Sequence, residues 1–310
     1  MGFKVSIVGA GGRVGSTAAY ALHLDGIAKH IALIDVFMAD QVAGEALDLI
    51  HGTALVAPQQ ITSGGYEELA GSDVIVITSG LRRKPDEERL ALVNRNVEMF
   101  RSILGEIKKQ PLKSDTVLLV VSNPVDVLTY IATKESGLPA DQVLGLGTVL
   151  DTCRFRSLIA DQFKVAATDV EALILGEHGD TMFPACSCAS VGGVPLRSLP
   201  FYSDEAMEAV FERTKTSGAE VIRKKGGAGS AVGVSIREVV HAILLDTGAV
   251  LPVSTVQTGT CGVSDVALSL PTRVGRAGAL DRIAITLSPG ESKALAKSAQ
   301  YLKETLAQIG

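Results

Sequence analysis

The sequence predicts an α/β protein in which a doubly wound parallel sheet is followed by an α+β part, and three observations carry that prediction. Short β-branched runs recur through the first half: "KVSIV" at 4–8, "IALID" at 31–35, "DVIVIT" at 73–78 and "TVLLVV" at 116–121. Each is followed by a stretch with helical patterning. The runs are apolar throughout instead of alternating with polar residues, as strands are when helices cover both faces of a sheet.

Taken in order, the strand at 4–8 runs into a glycine-rich turn and a helix reaching about Asp25, and the strand at 31–35 leads to a helix around 39–51. The run at 73–78 enters a charged stretch and then a long helix from about 87 to 109, and 116–121 is followed by "PVDVLTYIATKES". A short strand, "QVLGLG", closes the sheet near residue 147. Beyond it the pattern changes. A helix at about 150–163 precedes "VEALILGEHGD" and "PACSCASVGGVPL", and helices follow around 203–224 and 231–245. The strand-like runs "AVLPVSTV", "SDVALSLPTRVG" and "LDRIAITL" come next, with a last helix from about Pro289. This mixture predicts an α+β domain with antiparallel strands. The boundary falls between 147 and 148, giving domains 1–147 and 148–310, and the absence of a low-complexity linker predicts a broad interface between them.

A chain of 310 residues, 46% apolar and 20% charged, has the balance of a folded protein with a substantial core. Its net charge of -5 offers no attraction to nucleic acid or to an anionic membrane, so an anionic ligand needs locally placed cations. The start "MGFKVSIVGAGG" lacks the ordered regions of a signal peptide, and the apolar runs are too short to span a bilayer, so a cytoplasmic location is expected. Cys153, Cys186, Cys188 and Cys261 form no Cys-x-x-Cys pair and have no histidine at zinc spacing, so no metal is expected. "CSC" at 186–188 reads as two strand residues packed on one face.

In "VSIVGAGGRVGSTAAYAL" glycines end a strand and open a helix, the place where a pyrophosphate rests on backbone amides and the positive end of a helix dipole. Gly9 allows the tight turn, Gly12 the approach of phosphate and Gly15 the close packing of helix on strand; Gly11 leaves other registrations open. Asp35 lies 20 residues past Gly15, where a carboxylate accepts hydrogen bonds from ribose hydroxyls and repels a 2′-phosphate. The first domain therefore reads as a Rossmann-type NAD-binding domain.

Four further segments, "RRKPDEERLALVNRN" (82–96), "VSNPVDVLTY" (121–130), "GLGTVLDTCRFRSLIA" (145–160) and "GEHGD" (176–180), complete a chain of motifs. In order and spacing the sequence resembles the lactate and malate dehydrogenase family from residue 3 to its C-terminus. The resemblance implies hydride transfer between NAD and a secondary alcohol, with His178 exchanging the hydroxyl proton and Asp151 orienting it. Arg154, three residues after Asp151 on the same helix face, matches the arginine that grips the substrate carboxylate with a planar fork. Asn123 matches an asparagine that bonds the substrate oxygen and helps place the nicotinamide, and is equally well read as a turn residue before Pro124. Asn96 joins it among the cofactor contacts. Arg156 falls on another helix face, and His23, His30, His51 and His241 read as surface residues.

The resemblance also gives the charged stretch after the third strand a meaning. Arg89 matches a loop arginine that polarises the substrate carbonyl in the closed site. Arg83 matches the position that reads the far end of the substrate, arginine in malate enzymes and typically glutamine in lactate enzymes. Arg82 and Lys84 read as part of a solvated loop. Together with the small residues of "KGGAGSAVG" (225–233), which leave room for a larger substrate end, Arg83 directs the expectation to the malate branch: a malate dehydrogenase of the tricarboxylic acid cycle, with malate or oxaloacetate as its dicarboxylate partner. The alternatives are a lactate or other 2-hydroxyacid dehydrogenase, and a non-catalytic NAD-binding regulatory protein. The family further implies a homotetramer or dimer with the helix near 39–51 at an interface.

Overall fold

The computed structural model describes residues 2–81, 87–200 and 202–309, and for Arg89 the backbone only. In chain order its elements begin β1 (Phe3–Val8), α1 (Arg13–Asp25), β2 (Ala28–Ile34), α2 (Ala39–Gly52), β3 (Gln60–Gly64), β4 (Val74–Ile77), α3 (Arg89–Ile107), β5 (Val117–Val120), α4 (Val125–Glu135), β6 (Val143–Gly145) and α5 (Val149–Phe163). Five short strands follow, β7 (Val170–Glu171), β8 (Ile174–Leu175), β9 (Phe183–Pro184), β10 (Ser190–Val191) and β11 (Val194–Pro195), then α6 (Asp204–Lys225) and α7 (Ser230–Leu244). The chain ends with β12 (Ala249–Leu251), β13 (Ser254–Thr258), β14 (Ser264–Ser269), β15 (Thr272–Gly275), β16 (Gly278–Arg282) and α8 (Pro289–Ala307).

Among the described residues the main sheet has the order β14-β13-β6-β5-β4-β1-β2-β3. From β6 to β3 every neighbour is parallel, with Val5 beside Val74 and Leu118 beside Val143. The strand direction alternates the side chains between faces. Val74 and Val76 join Val5, Ile7 and α1 on one side, while Ile75 and Ile77 join Phe100 and Leu104 of α3 on the other. The doubly wound sheet read from the sequence is therefore present, and the second part carries the expected antiparallel pairs.

Three readings need correction, and one strand was not anticipated. "QVLGLG" does not close the sheet, because β13 and β14 of the second part continue it antiparallel past β6. The strand β3, whose apolar run is only "QITSG", carries too little pattern to be read in advance and forms the opposite edge. "CSC" is a 3₁₀ turn, not a strand, with Cys188 exposed and all four cysteines free. His23 is buried in α1, 3% exposed, with Nδ1 in a 2.6 Å hydrogen bond to Gln59 Oε1.

The two parts share their cores. Helix α7 lays Ile236, Val239, Val240 and Ile243 on the face that α1 covers, and α8 lays Leu295 and Leu302 on the face that α3 and α4 cover. A third cluster, including Phe155, Ile159, Ile174, Met207 and Val210, belongs to the second part alone. Helix α8 is well specified locally: Ser288 accepts from the Glu291 amide, Glu291 reaches back to the Ser288 amide, and Pro289 opens the first turn.

The small residues of 225–233 have a packing explanation. A side chain at Gly233 would come within 2.8 Å of the Thr17 carbonyl oxygen, so the glycine lets α7 pack closely on α1. Gly227 and Gly229 lie against the Arg13 side chain, whose Nη1 donates to the Lys225 carbonyl at 2.9 Å. At these three glycines the neighbouring space is taken by Arg13 and Thr17 of the first domain, so their small size has a packing cause.

Candidate active site

The order of the sheet reverses between β4 and β1, and the carboxyl ends of the strands on either side of that point deliver the site, as in other open α/β sheets. At the end of β1, Gly9 has φ 86°, and a side chain there would meet the Ser79 amide nitrogen at 2.6 Å. Gly15 sits where any side chain would run into the Gly9 carbonyl, so only glycine allows α1 to start this close to the strand. Gly12 has open space around it apart from the Gly9 oxygen, and α1 begins at it with no side-chain cap and no acid in its first turn. The amides of that turn are thus left for an anion. At the end of β2, Asp35 Oδ1 accepts from the Phe37 and Met38 amides at 3.1 and 3.2 Å, and Oδ2 lies beside Gly11. This arrangement fits a dinucleotide: amides for the pyrophosphate and, one strand away, a held carboxylate at ribose height.

At the end of β5 stands Asn123, exposed, joined to Pro124 by a cis peptide, with Oδ1 accepting from the Val125 amide at 3.3 Å. Asn96 is buried in α3 and engaged within the protein: Oδ1 accepts from the Leu81 amide at 2.8 Å and Nδ2 donates to the Leu92 carbonyl at 3.0 Å. It fixes the chain as it leaves β4. Arg89 is the first residue of α3. Arg83 lies outside the described residues.

The structure brings His178, Asp151 and Arg154 together. His178 Nδ1 is 2.5 Å from Asp151 Oδ2, and Arg154 Nη1 donates to Asp151 Oδ1 at 3.0 Å. The i, i+3 spacing on α5 places Arg154 and Asp151 on one helix face, as expected from the sequence. Asp151 is buried, whereas the side chains of His178 and Arg154 keep 26% and 17% exposure, so both reach from a buried anion towards open space. Arg156, on another face, pairs with Glu171 at 3.5 Å.

Electrostatics follow from this arrangement. Burial works against a charge on His178, yet the Asp151 carboxylate at Nδ1 outweighs it and Asp126 adds to the effect, so the imidazole is pushed up to about 9. Burial also opposes the charge on Asp151, but the His178 and Arg154 cations hold its carboxyl below the ordinary range.

The loop carrying His178 is tied on several sides. Thr152 Oγ1 accepts from the Ile174 amide at 2.9 Å, Gly176 bridges to Ser269 of β14, and the Glu177 amide donates to Ser298 Oγ of α8 at 2.6 Å. The His178 amide donates to Asp126 Oδ2 at 2.7 Å. Asp126, Glu177, Ser254 and Ser298 were not singled out from the sequence. For Asp126 a signal exists in "NPVDVLTY", an acid inside an apolar run at a helix start, where burial makes a carboxylate costly unless it is bonded. A cavity of about 310 Å³ opens beside His178, walled by Leu90, Val93, Asp126, Glu177, Tyr301 and Glu304 among others.

The chain is similar to known proteins along its whole length. The family description "lactate/malate dehydrogenase, NAD binding domain" matches residues 3–145, and "lactate/malate dehydrogenase, alpha/beta C-terminal domain" matches residues 148–309. An L-lactate dehydrogenase of Acetivibrio thermocellus is 43% identical over 311 positions, covering 98% of this chain and 96% of that protein. One from Thermoanaerobacter sp. is 40% identical, covering 99% of each. The solved minor L-lactate dehydrogenase of Enterococcus mundtii superposes with TM-score 0.96 at 36% identity, over 100% of this chain and 99% of that one. A lactate dehydrogenase from a Medee basin deep-sea metagenome library gives 0.95 at 33% identity, over 99% and 98%.

These names overturn the malate expectation, and with it the tricarboxylic acid cycle and a dicarboxylate partner: full-length relatives at 40–43% identity are L-lactate dehydrogenases. An arginine at position 83 does not by itself select a dicarboxylate, and the glycines of 225–233 pack on Arg13 and Thr17. The glycine turn, Asp35 and the two family matches that together span residues 3–309 settle the broader identity: the chain belongs to the lactate/malate dehydrogenase family, an NAD-dependent oxidoreductase acting on a CH–OH group.

Proposed function

We propose that this protein interconverts L-lactate and pyruvate, with a small 2-hydroxy or 2-keto acid held between Arg154 and His178. The observation that carries this is the shared use of Asp151 by His178 at 2.5 Å and Arg154 at 3.0 Å, in a chain whose full-length relatives are named L-lactate dehydrogenase. NAD, when bound, supplies the acceptor for the hydride. The protein's own groups handle the proton and the carboxylate. Nδ1 of His178 is committed to Asp151, which leaves Nε2 to take the hydroxyl proton of lactate or to give it to the carbonyl oxygen of pyruvate. With its imidazole lifted to about 9, His178 carries that proton at neutral pH and is set for pyruvate reduction. Arg154 offers its remaining N–H groups to the substrate carboxylate, which orients the reacting carbon as well as binding it. Arg89 polarises the carbonyl oxygen, and Asn123 bonds the same oxygen and helps place the nicotinamide. Gly9, Gly12 and Gly15 cradle the pyrophosphate, and Asp35 takes the ribose.

Two further readings belong to this proposal. The domain boundary is placed at 147/148, supported by the end of β6 and the start of α5 there. A homo-oligomer is supported by the apolar side chains that α2 leaves exposed, Leu47 and Ile50. Among the described residues no helix is long and apolar enough to cross a membrane.

The deciding experiment is a panel of 2-keto acids as oxidants of NADH, with pyruvate and oxaloacetate compared by kcat/KM. Pyruvate is expected to lead. A higher kcat/KM for oxaloacetate would overturn the substrate assignment while leaving the oxidoreductase class intact.

A further inference from the structure

Asp126 stands on the first turn of α4, 3% exposed, three residues past Asn123. Its two oxygens serve different parts of the molecule. Oδ2 accepts the His178 amide at 2.7 Å, and Oδ1 accepts the Ser254 hydroxyl of β13 at 2.6 Å. The imidazole of His178 is thus held by one buried aspartate, from α5, and its main chain by another, from α4. Asn123 precedes the N-cap of α4 and its Oδ1 accepts from the Val125 amide, so the bond from Asp126 to the His178 amide also helps set the spacing between the asparagine and the histidine.

We infer, resting on the reading of His178 as the proton-transfer group, that Asp126 is a positioning residue that anchors the His178 main chain and adds a second buried negative charge beside the imidazolium. An acceptor alone would satisfy the His178 amide; a backbone carbonyl or an asparagine would serve. A carboxylate in a buried place costs far more, and its retention makes sense where a cation is close by. Burial pushes Asp126 up, against the Ser254 and His178 bonds that pull it down, to about 6. It is therefore ionised at neutral pH and protonates only in mild acid. Among the described residues, the charged or titratable groups around His178 include Asp151 and Arg154 on α5, Glu177 and Asp180 on its own loop, and Tyr301 and Glu304 of α8 across the cavity. Asp151 is the stronger partner of the ring, and Asp126 acts in the same direction from the main-chain side.

The test reads His178 directly, without substrate. Histidine labelled with ¹³C and ¹⁵N gives the titration of the His178 ring, identified by its loss in His178→Asn. Asp126→Asn keeps the shape and an acceptor but removes the charge, and should lower the His178 midpoint by about half a unit to one unit. In pyruvate reduction the same variant should move the alkaline limb of kcat/KM down by the same shift, and reduce kcat roughly tenfold with KM for NADH unchanged. Asp126→Glu, which restores the charge, should recover the midpoint more fully than the rate. A folded Asp126→Asn whose His178 midpoint is unmoved overturns the inference. Should the variant not fold, the unaltered protein still decides: the His178 amide signal should show an inflection near pH 6 as its acceptor protonates, and a flat trace from pH 5 to 7.5 overturns it. Failure of the unaltered protein to reduce pyruvate, with the midpoint shift present, would refute the lactate reading and leave the role of Asp126 standing.

Discussion

Two buried aspartates at opposite ends of the sheet show how similar surroundings serve different ends. Asp73, at the amino end of β4, is 3% exposed; Oδ2 accepts the Lys4 amide and Lys113 Nζ, both at 2.8 Å, and Oδ1 accepts Arg276 Nη2 at 2.7 Å. Asp151, at the other end, is 2% exposed and accepts from His178 and Arg154. Both are anions removed from water and compensated by hydrogen-bonded cations, as burial demands. What differs is where the cations point. Arg276 spends its fork on protein, reaching Asp115 at 2.6 Å as well as Asp73, and so clamps the β15–β16 turn of the second part onto the sheet. His178 and Arg154 each give Asp151 one nitrogen and keep part of the side chain exposed, 26% and 17%. Burial and pairing alone do not mark a functional carboxylate. A partner such as His178, whose ring is held by the aspartate on one side and borders a cavity, does.

The contrast breaks most sharply at His178. Replacing it with Asn removes the proton carrier but keeps a polar side chain of similar bulk. Pyruvate reduction should fall by about 10⁴-fold, the upper range for loss of a general acid or base. Binding of NADH, followed by its fluorescence, should stay within a factor of about three. A loss of NADH binding comparable to the loss of rate would show that His178 is structural, as Asp73 is.

At the amino end the expected effect is on stability. Asp73→Asn leaves Lys113 and Arg276 facing a neutral amide, and breaking a buried ion pair from one side costs about 3 kcal/mol. Part exposure of Lys113, 41%, lets it turn to water, so the loss should lie at or somewhat below that figure. Urea unfolding measures it, and kcat per folded molecule should be unchanged. A reduced kcat in the folded variant would mean that the two ends of β4 communicate.

A milder perturbation is pH, and its sign follows from the direction of the shift. In the folded protein His178 is raised from its ordinary value to about 9, so the protonated form required for pyruvate reduction persists through neutral pH. The kcat/KM for pyruvate should be flat from about pH 7 and fall towards tenfold per unit above about 9, while lactate oxidation, which needs the neutral ring, should rise over the same range. Stability is linked in the same sense. The native state holds a proton that the unfolded chain releases near 6.5, so this contribution is complete below 6.5 and is lost as pH rises through about 9. A profile for pyruvate that breaks near 6.5 instead would show that Asp151 does not raise the imidazole.

Much of this was legible in the sequence because the signal was local or periodic. The β-branched runs with glycine turns signal the parallel sheet, Gly9 is required locally by its φ of 86° and Gly15 by the Gly9 carbonyl six residues earlier, and Asp151 with Arg154 needs only a helix face. What was missed depended on contacts distant along the chain. The sheet continues through β13 because Ser254 pairs with Gly145, over a hundred residues earlier, and nothing in either segment states the partner. His23 is buried because Gln59 meets it. The anchor at Asp126 needs His178 and Ser254, 52 and 128 residues away. Substrate choice was misread for a related reason. A side chain type at position 83 and a run of small residues suggest a pocket, whereas the glycines answer to Arg13 and Thr17, more than two hundred residues earlier.

The smallest effect tests the amino-end clamp against its own neighbour. Arg273 and Arg276 lie three residues apart on the β15–β16 hairpin, and both are paired with aspartate. Arg273 Nε meets Asp281 Oδ2 at 2.9 Å across the hairpin, with the two side chains 47% and 60% exposed. The Arg276 side chain is 26% exposed and the side chain of its Asp73 partner 5%. In water-exposed surroundings an ion pair is screened and loses side-chain entropy, so Arg273→Ala should cost no more than about 0.5–1 kcal/mol. Arg276→Ala leaves Asp73 with two of its three donors and removes the stacking of the guanidinium over Phe3, so its cost should be at least twice as large. Raising salt from 0.05 to about 1 M should erase most of the Arg273 difference and little of the Arg276 difference, because screening reaches the first pair and not the second. Equal costs for the two arginines, equally sensitive to salt, would mean that the Asp73 cluster is solvated in practice, and the comparison between the two ends of the sheet would lose its structural half.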